Sequence, residues 1–177
     1  MSFFELAANR YSVRDFLPRQ IEPDKLEKIL QAGKLAPTAH NNQPQQIYVV
    51  QEPKMLAELK DLTRCVFNAP TVLLMGGKPA EAWVNPFSDH DSCEMDVSIV
   101  ATHMMLQAAE LGIGSTWVCY APLEEIKNKL NLPKEITLYA LLILGYPSDS
   151  AKPSPMHCKR KELEHTVHYV TEGGYSK

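Results

Sequence analysis

The sequence shows no basic-then-apolar start of the kind an export leader has, no membrane-length apolar run, no paired-cysteine motif and no basic stripe, and each absence argues against a class of function. The opening Met1-Ser2-Phe3-Phe4-Glu5 has neither the basic start nor the apolar core of a signal peptide. The apolar runs Thr71 to Met75 and Leu138 to Leu144 are too short to cross a bilayer as helices. A cytoplasmic protein with no membrane partner is predicted. Four cysteines, Cys65, Cys93, Cys119 and Cys158, lie far apart with no Cys-x-x-Cys pair, and a chain of 177 residues needs no disulfides to stabilise its core. His90 and Cys93, with Asp89, Asp91 and the later His157-Cys158, are spaced unlike a zinc knuckle, and residues 85–91 read as a loop, so no metal is predicted. A formal charge of −3 argues against a nucleic-acid partner. The glycines of Gly112-Ile113-Gly114 run from helix to strand and lack a third member, which excludes the dinucleotide fingerprint. No repeat, low-complexity tract or linker divides the chain, so residues 1–177 are predicted to form a single domain.

What is present alternates between strand and helix. Leu26, Ile29, Leu30 and Gly33 share one helical face, with Pro23 and Asp24 suited to its first turn. A strand from about Gln46 to Val50 leads into a second helix carrying Met55, Leu56, Leu59 and Leu62. Thr71 to Met75 and Leu138 to Leu144 suit central strands buried on both faces, and Ser115 to Val118 reads as another strand. A short helix bears Leu123, Ile126 and Leu130. Asp96 is expected to open a long helix in which Val97, Val100, Ala101, Met104, Met105, Ala108 and Leu111 recur at three- and four-residue spacing. A helix so apolar belongs either in the centre of the domain or at a subunit interface. Between Lys78 and Ser92, Trp83 and Phe87 either shield a ligand on a lid or substrate-side loop, or serve as ordinary packing. The pattern indicates an α/β or α+β sandwich.

The chemistry concentrates at the two ends. Arg10-Tyr11-Ser12-Val13-Arg14 near the start, and Lys159-Arg160-Lys161 before a strand-like Thr166 to Val170, gather cationic and hydroxyl donors in a slightly acidic chain. Arginine forms paired charged hydrogen bonds to phosphate, and a serine hydroxyl donates to a further oxygen. Between them lies Ala36-Pro37-Thr38-Ala39-His40-Asn41-Asn42-Gln43-Pro44, crowded with amides. A phosphorylated cofactor with a hydrogen-bonding head suits both, provided that folding brings the ends together.

These segments, in this order with Asp96, the stretch from Leu106 to Trp117, Leu132-Pro133, Gly145-Tyr146-Pro147 and Arg160-Lys161-Glu162-Leu163, resemble the flavin-dependent nitroreductase superfamily over essentially the whole chain. The resemblance implies an α+β fold, a three-layer α/β/α sandwich around a mainly antiparallel sheet, forming a homodimer with a domain-swapped C-terminal segment. It implies FMN at the subunit interface, with Arg10, Ser12 and Arg160 on the phosphate side and Lys161 as a further cation there. Arg14, the implied catalytic residue, stands beside the part of the ring that gains negative charge on reduction. Asn41 faces the pyrimidine edge, Gln43 is a second amide, and Gly114 and Ser115 add backbone or hydroxyl contacts. The implied reaction is ping-pong, with NADH or NADPH reducing the flavin and a nitroaromatic, quinone or other conjugated acceptor reoxidising it. Two alternatives are a flavoenzyme using a protein electron donor or oxygen, and a flavin-binding carrier or regulatory protein without turnover. Gln45 stands where many relatives carry an aromatic residue and Cys158 where some carry lysine, and the chain leaves little room for a large helical excursion over the flavin.

Overall fold

A computed structural model describes residues 1–172 and 174–175. Its main elements run α1 (Phe3–Asn9), α2 (Pro23–Lys34), β1 (Gln45–Val50), α3 (Pro53–Leu62), β2 (Thr71–Gly77), α4 (Cys93–Glu110), β3 (Gly114–Val118), α5 (Leu123–Lys129) and β4 (Thr137–Gly145), with a short pair, β5 (Val170–Thr171) and β6 (Gly174–Tyr175), at the end. The first four strands form an antiparallel sheet ordered β1-β2-β4-β3.

Strand alternation sends side chains to opposite faces, and both faces are covered. Leu73, Met75, Leu142 and Leu144 join a core with residues of α2 and α4, while Val72, Leu74, Leu141 and Ile143 join another with residues of α3 and α5. The result is a three-layer α+β sandwich. It explains why the central strands read as unbroken apolar runs.

Helix α4 buries Val97, Val100, Ala101, Met104 and Ala108 on one stripe. Burial of each larger side chain contributes about 1.5–3 kcal/mol, so the stripe outweighs the helix's intrinsic propensity. Gly33 on α2 lets Met104 approach closely, since an added Cβ would meet Met104 Cγ at 2.9 Å. Gly112 adopts φ +73° just past the helix, and Ile113 N–H donates to Ala108 C=O at 2.8 Å, a Schellman stop that turns the chain into β3. The predicted glycine terminator is therefore present.

Several expectations shift. α4 starts at Cys93, three residues before Asp96, because Asp91 accepts from Cys93 N–H at 2.9 Å and the Asp96 carboxylate turns inward. Residues 10–14 run without helix along the β3 edge, where Ser12 makes a parallel bridge to Ser115. The strand expected over Thr166–Val170 is replaced by a 3-10 turn at Leu163–His165, with pairing only at Val170–Thr171. Every described residue from Cys158 to Glu172 is exposed, so this arm has no core within its own chain to lie against. Helix α1 went unread, although Ser2 and Glu5 form the reciprocal capping box that a Ser-x-x-Glu spacing signals.

Candidate cofactor site

The two basic ends meet. Arg10, Tyr11, Ser12 and Arg14 line one wall of an open polar cleft of about 220 Å³, and Ser154, Met156, His157 and Arg160 line the other. The closure rests on named contacts. Val13 N–H donates to Ser115 C=O at 3.0 Å, and Thr116 Oγ1 donates to Val13 C=O, fixing the first segment along β3. His157 Nε2 lies 3.2 Å from Ala8 C=O, and its ring meets that of Tyr11 edge-on at 6.3 Å, which anchors the returning arm. Neither Tyr11 nor His157 stood out in the sequence: Tyr11 lay inside the basic motif, and His157 was weighed only as a metal ligand.

The cleft is strongly electropositive. No ion pair among the described residues includes Arg10, Arg14 or Arg160. Arg14 and Arg160 spend one donor each on the carbonyls of Ser12 and Lys159. Asp15, the nearest carboxylate in sequence, accepts from the hydroxyls of Ser148 and Ser150, which hold it below its ordinary range. Guanidinium groups without a counter-charge suit a doubly ionised phosphate, which presents several acceptors for their forked donors, and a third beside them can meet further negative charge. The donor set therefore fits the phosphate of a mononucleotide cofactor.

The other candidates are placed differently. Gly114 and Ser115 line an adjoining apolar cavity of about 180 Å³ that shares Arg10 and Tyr11 with the cleft. Ser115 Oγ is buried there without a hydrogen-bond partner. Gly114 serves packing, since an added Cβ would lie 2.7 Å from Val13 Cγ2. Lys161 is exposed and lines neither space. Phe87, on a loop closed by the Val84–Asp91 bridge, is 95 % exposed and shields nothing in its own chain. Cys93 is fully buried and burial pushes its thiol pKa up, so it is no nucleophile. Among the described residues no cluster of three or more His, Cys, Asp or Glu could hold a metal, and no helix is long and apolar enough to cross a membrane.

Asn41 and Gln43 lie on a hydrogen-bonded turn before β1. Its backbone is left-handed at His40, Asn41 and Gln43, with φ of 53°, 57° and 53°. Gln43 N–H donates to Thr38 Oγ1 at 3.1 Å, Asn42 Nδ2 donates to Glu81 C=O at 3.1 Å, and Ala39 N–H donates to Asp96 Oδ1 at 2.8 Å. Sheet register locates this turn relative to the cleft. Gln45, just after it, pairs with Gly77, which pairs with Thr137 at the start of β4. Ser115 borders the cleft's wall, and its neighbour Gly114 pairs with Gly145 at the far end of β4. The turn and the cleft thus occupy diagonally opposite corners of the sheet. Nine residues of β4 separate them lengthwise, on the order of 25 Å.

Comparison with known proteins agrees with this architecture. The Nitroreductase family profile matches residues 7–68 and 63–146. A crystal structure of a nitroreductase family protein from Clostridium difficile 630 is 38 % identical, covers 97 % of this chain and 99 % of its own, and superposes with a TM-score of 0.89. A nitroreductase family protein from Clostridium novyi NT is 28 % identical, with 85 % and 87 % coverage and a TM-score of 0.78. An Archaeoglobus fulgidus protein provisionally named NADH dehydrogenase/NAD(P)H nitroreductase is 32 % identical over 147 residues, 79 % of this chain and 82 % of the relative. Fold and relatives together define the class, an oxidoreductase built on an α+β sandwich. Within that class, the chain belongs to the nitroreductase family.

Proposed function

We propose that the protein is a homodimeric flavoenzyme in which each FMN is held between the arginine cleft of one protomer and the amide turn of its partner. Its general activity follows from its family: an FMN- and NAD(P)H-dependent oxidoreductase. The observation that carries the site assignment is the convergence of Arg10, Ser12, Arg14 and Arg160 on one cleft, where none of the three arginines forms an ion pair with a carboxylate among the described residues.

In this reading Arg10, Arg160 and the Ser12 hydroxyl bind the phosphate, with Lys161 adding to the local positive field. Arg14 is the catalytic residue: its fixed charge offsets the negative charge that accumulates in the ring system on reduction. Gly114 lets Val13 of the arginine segment pack closely on β3, and Ser115 supplies the unpaired hydroxyl. Asn41 and Gln43 of the partner orient the ring by hydrogen bonds from its polar edge. FMN, when bound, supplies hydride acceptance from NADH or NADPH and its onward delivery to a conjugated acceptor such as a quinone or nitroaromatic. The protein's own contribution is alignment, charge balance and exclusion of water.

Dimerisation is supported by the diagonal separation of turn and cleft, which is longer than one mononucleotide. It is also supported by apolar side chains left outside the core: Met95 (52 % exposed) and Ile99 (39 %) on α4, and Phe3 and Phe4 on α1. The exposed C-terminal arm is read as crossing to the second protomer. Residues 1–177 are read as one FMN-binding domain and the enzyme as cytoplasmic.

The test is the absorbance spectrum of freshly purified protein, with mass analysis of whatever denaturation releases. Flavin bands and an FMN mass near one per subunit are expected, with bleaching on addition of NADH or NADPH. Protein that is colourless and does not take up added FMN would overturn the reading.

A further inference from the structure

We infer that Asp96 is a positioning residue for the cofactor site, its buried carboxylate setting the left-handed turn that presents Asn41. The inference rests on the reading that Asn41 faces the cofactor. Asp96 is 1 % exposed and joins no ion pair among the described residues. Burying a carboxylate without a cation is costly, so its retained hydrogen bonds must compensate. Oδ1 accepts from Ala39 N–H and Oδ2 from Ser92 Oγ–H, both at 2.8 Å, and its place near the N-terminus of α4 adds a favourable dipole.

The amide that Asp96 holds belongs to the residue immediately before His40 and Asn41. Successive left-handed backbones without glycine persist only where the surroundings over-determine them. The Thr38–Gln43 bond lies within the turn, and the Asn42–Glu81 bond reaches another surface segment. The Asp96 bond instead ties the turn to a buried helix, the more rigid support. Since α4 also carries exposed Met95 and Ile99, one rigid body links the amide turn to the face read as meeting the partner.

The experiment compares Asp96→Ala and Asp96→Asn, each with and without Asn41→Ala, in the full chain. Amide exchange over residues 37–44 is measured without FMN, and FMN affinity is measured by titration. Asp96→Ala is expected to accelerate exchange in that segment about tenfold and to weaken FMN binding about tenfold. Asp96→Asn, whose amide oxygen still accepts from Ala39 N–H, is expected to restore both. With Asn41→Ala already present, Asp96→Ala should cost much less FMN affinity than it does alone, only the share that Gln43 on the same turn contributes. Unchanged exchange, or a full additional loss in the Asn41→Ala background, would overturn the inference. Faster exchange with FMN affinity untouched by Asn41→Ala alone would remove Asn41 from the cofactor site and the inference with it, while leaving the arginine cleft standing. Where Asp96→Ala does not fold, Ser92→Ala loosens the carboxylate's other oxygen and is expected to give the same pattern in smaller measure.

Discussion

At the scale of single residues, the proposed site divides the arginines by task. Arg10→Ala and Arg160→Ala each remove a phosphate-side cation and should weaken FMN binding by roughly one to two orders of magnitude, the equivalent of about 1.5–3 kcal/mol. Arg14→Ala should slow reduction by NAD(P)H more than it weakens binding; fluorescence titration and stopped-flow bleaching separate the two effects. A different residue contributes to acid stability. The Tyr146 hydroxyl donates to Glu22, and this bond, helped by a backbone bond and by Arg19, lowers the Glu22 carboxyl from 4.5 to about 2. A carboxyl depressed in the folded state stabilises above its unfolded value and loses that contribution as pH falls toward its folded one. The wild-type chain should therefore lose this stability between pH 4.5 and about 2. Tyr146→Phe should melt lower near neutrality, with the gap narrowing through that window; a gap independent of pH would dismiss the linkage. That the arginines offer paired charged donors was readable from residue type alone, and the structure adds that Arg10, Arg14 and Arg160 line one cleft. The contact of Asp96 was not readable, since nothing local reveals that its carboxylate reaches a turn 57 positions earlier.

At the scale of elements, legibility followed burial. β2 and β4 were plain because both faces are covered and their composition records it. The C-terminal arm misled because Val167, Tyr169 and Val170 have the composition of a strand, yet only Val170 pairs, in the two-residue β5–β6 ladder, and none of them joins the main sheet. The α4 pattern supported both core and interface, and the structure accounts for this: one stripe packs on the sheet while Met95 and Ile99 stay outside. The junction of α4 with the sheet gives a prediction. Gly77 lies where a Cβ would come within 2.5 Å of Cys93 Sγ and 3.1 Å of Pro44 C=O. Gly77→Ala should destabilise by about 1–3 kcal/mol. At roughly 2–4 °C per kcal/mol, a differential scan should show a clear drop in Tm, and an unchanged midpoint would mean that α4 yields freely.

At the scale of the whole molecule, the proposed assembly depends on the apolar face that the fold leaves uncovered. Ile99→Glu puts a charge on that face without touching the core, so the chain should fold yet elute as a monomer and retain FMN poorly. A stable dimer with full flavin occupancy would move the interface elsewhere. In the sequence only the apolar α4 pattern, which suits a core as well as an interface, points to the proposed second copy. Support for that copy comes instead from strand order and register, which set the basic cleft and the amide turn at opposite corners of one sheet.

That diagonal layout allows two crippled chains to rescue each other. If each catalytic centre draws its arginines from one protomer and its amides from the other, a protomer carrying Arg14→Ala and one carrying Asn41→Ala each keep the half that the other has lost. Unfolded together and refolded as an equal mixture, they should regain about a quarter of the wild-type centres: half of the dimers are mixed, and each mixed dimer concentrates both lesions in one centre and leaves the other whole.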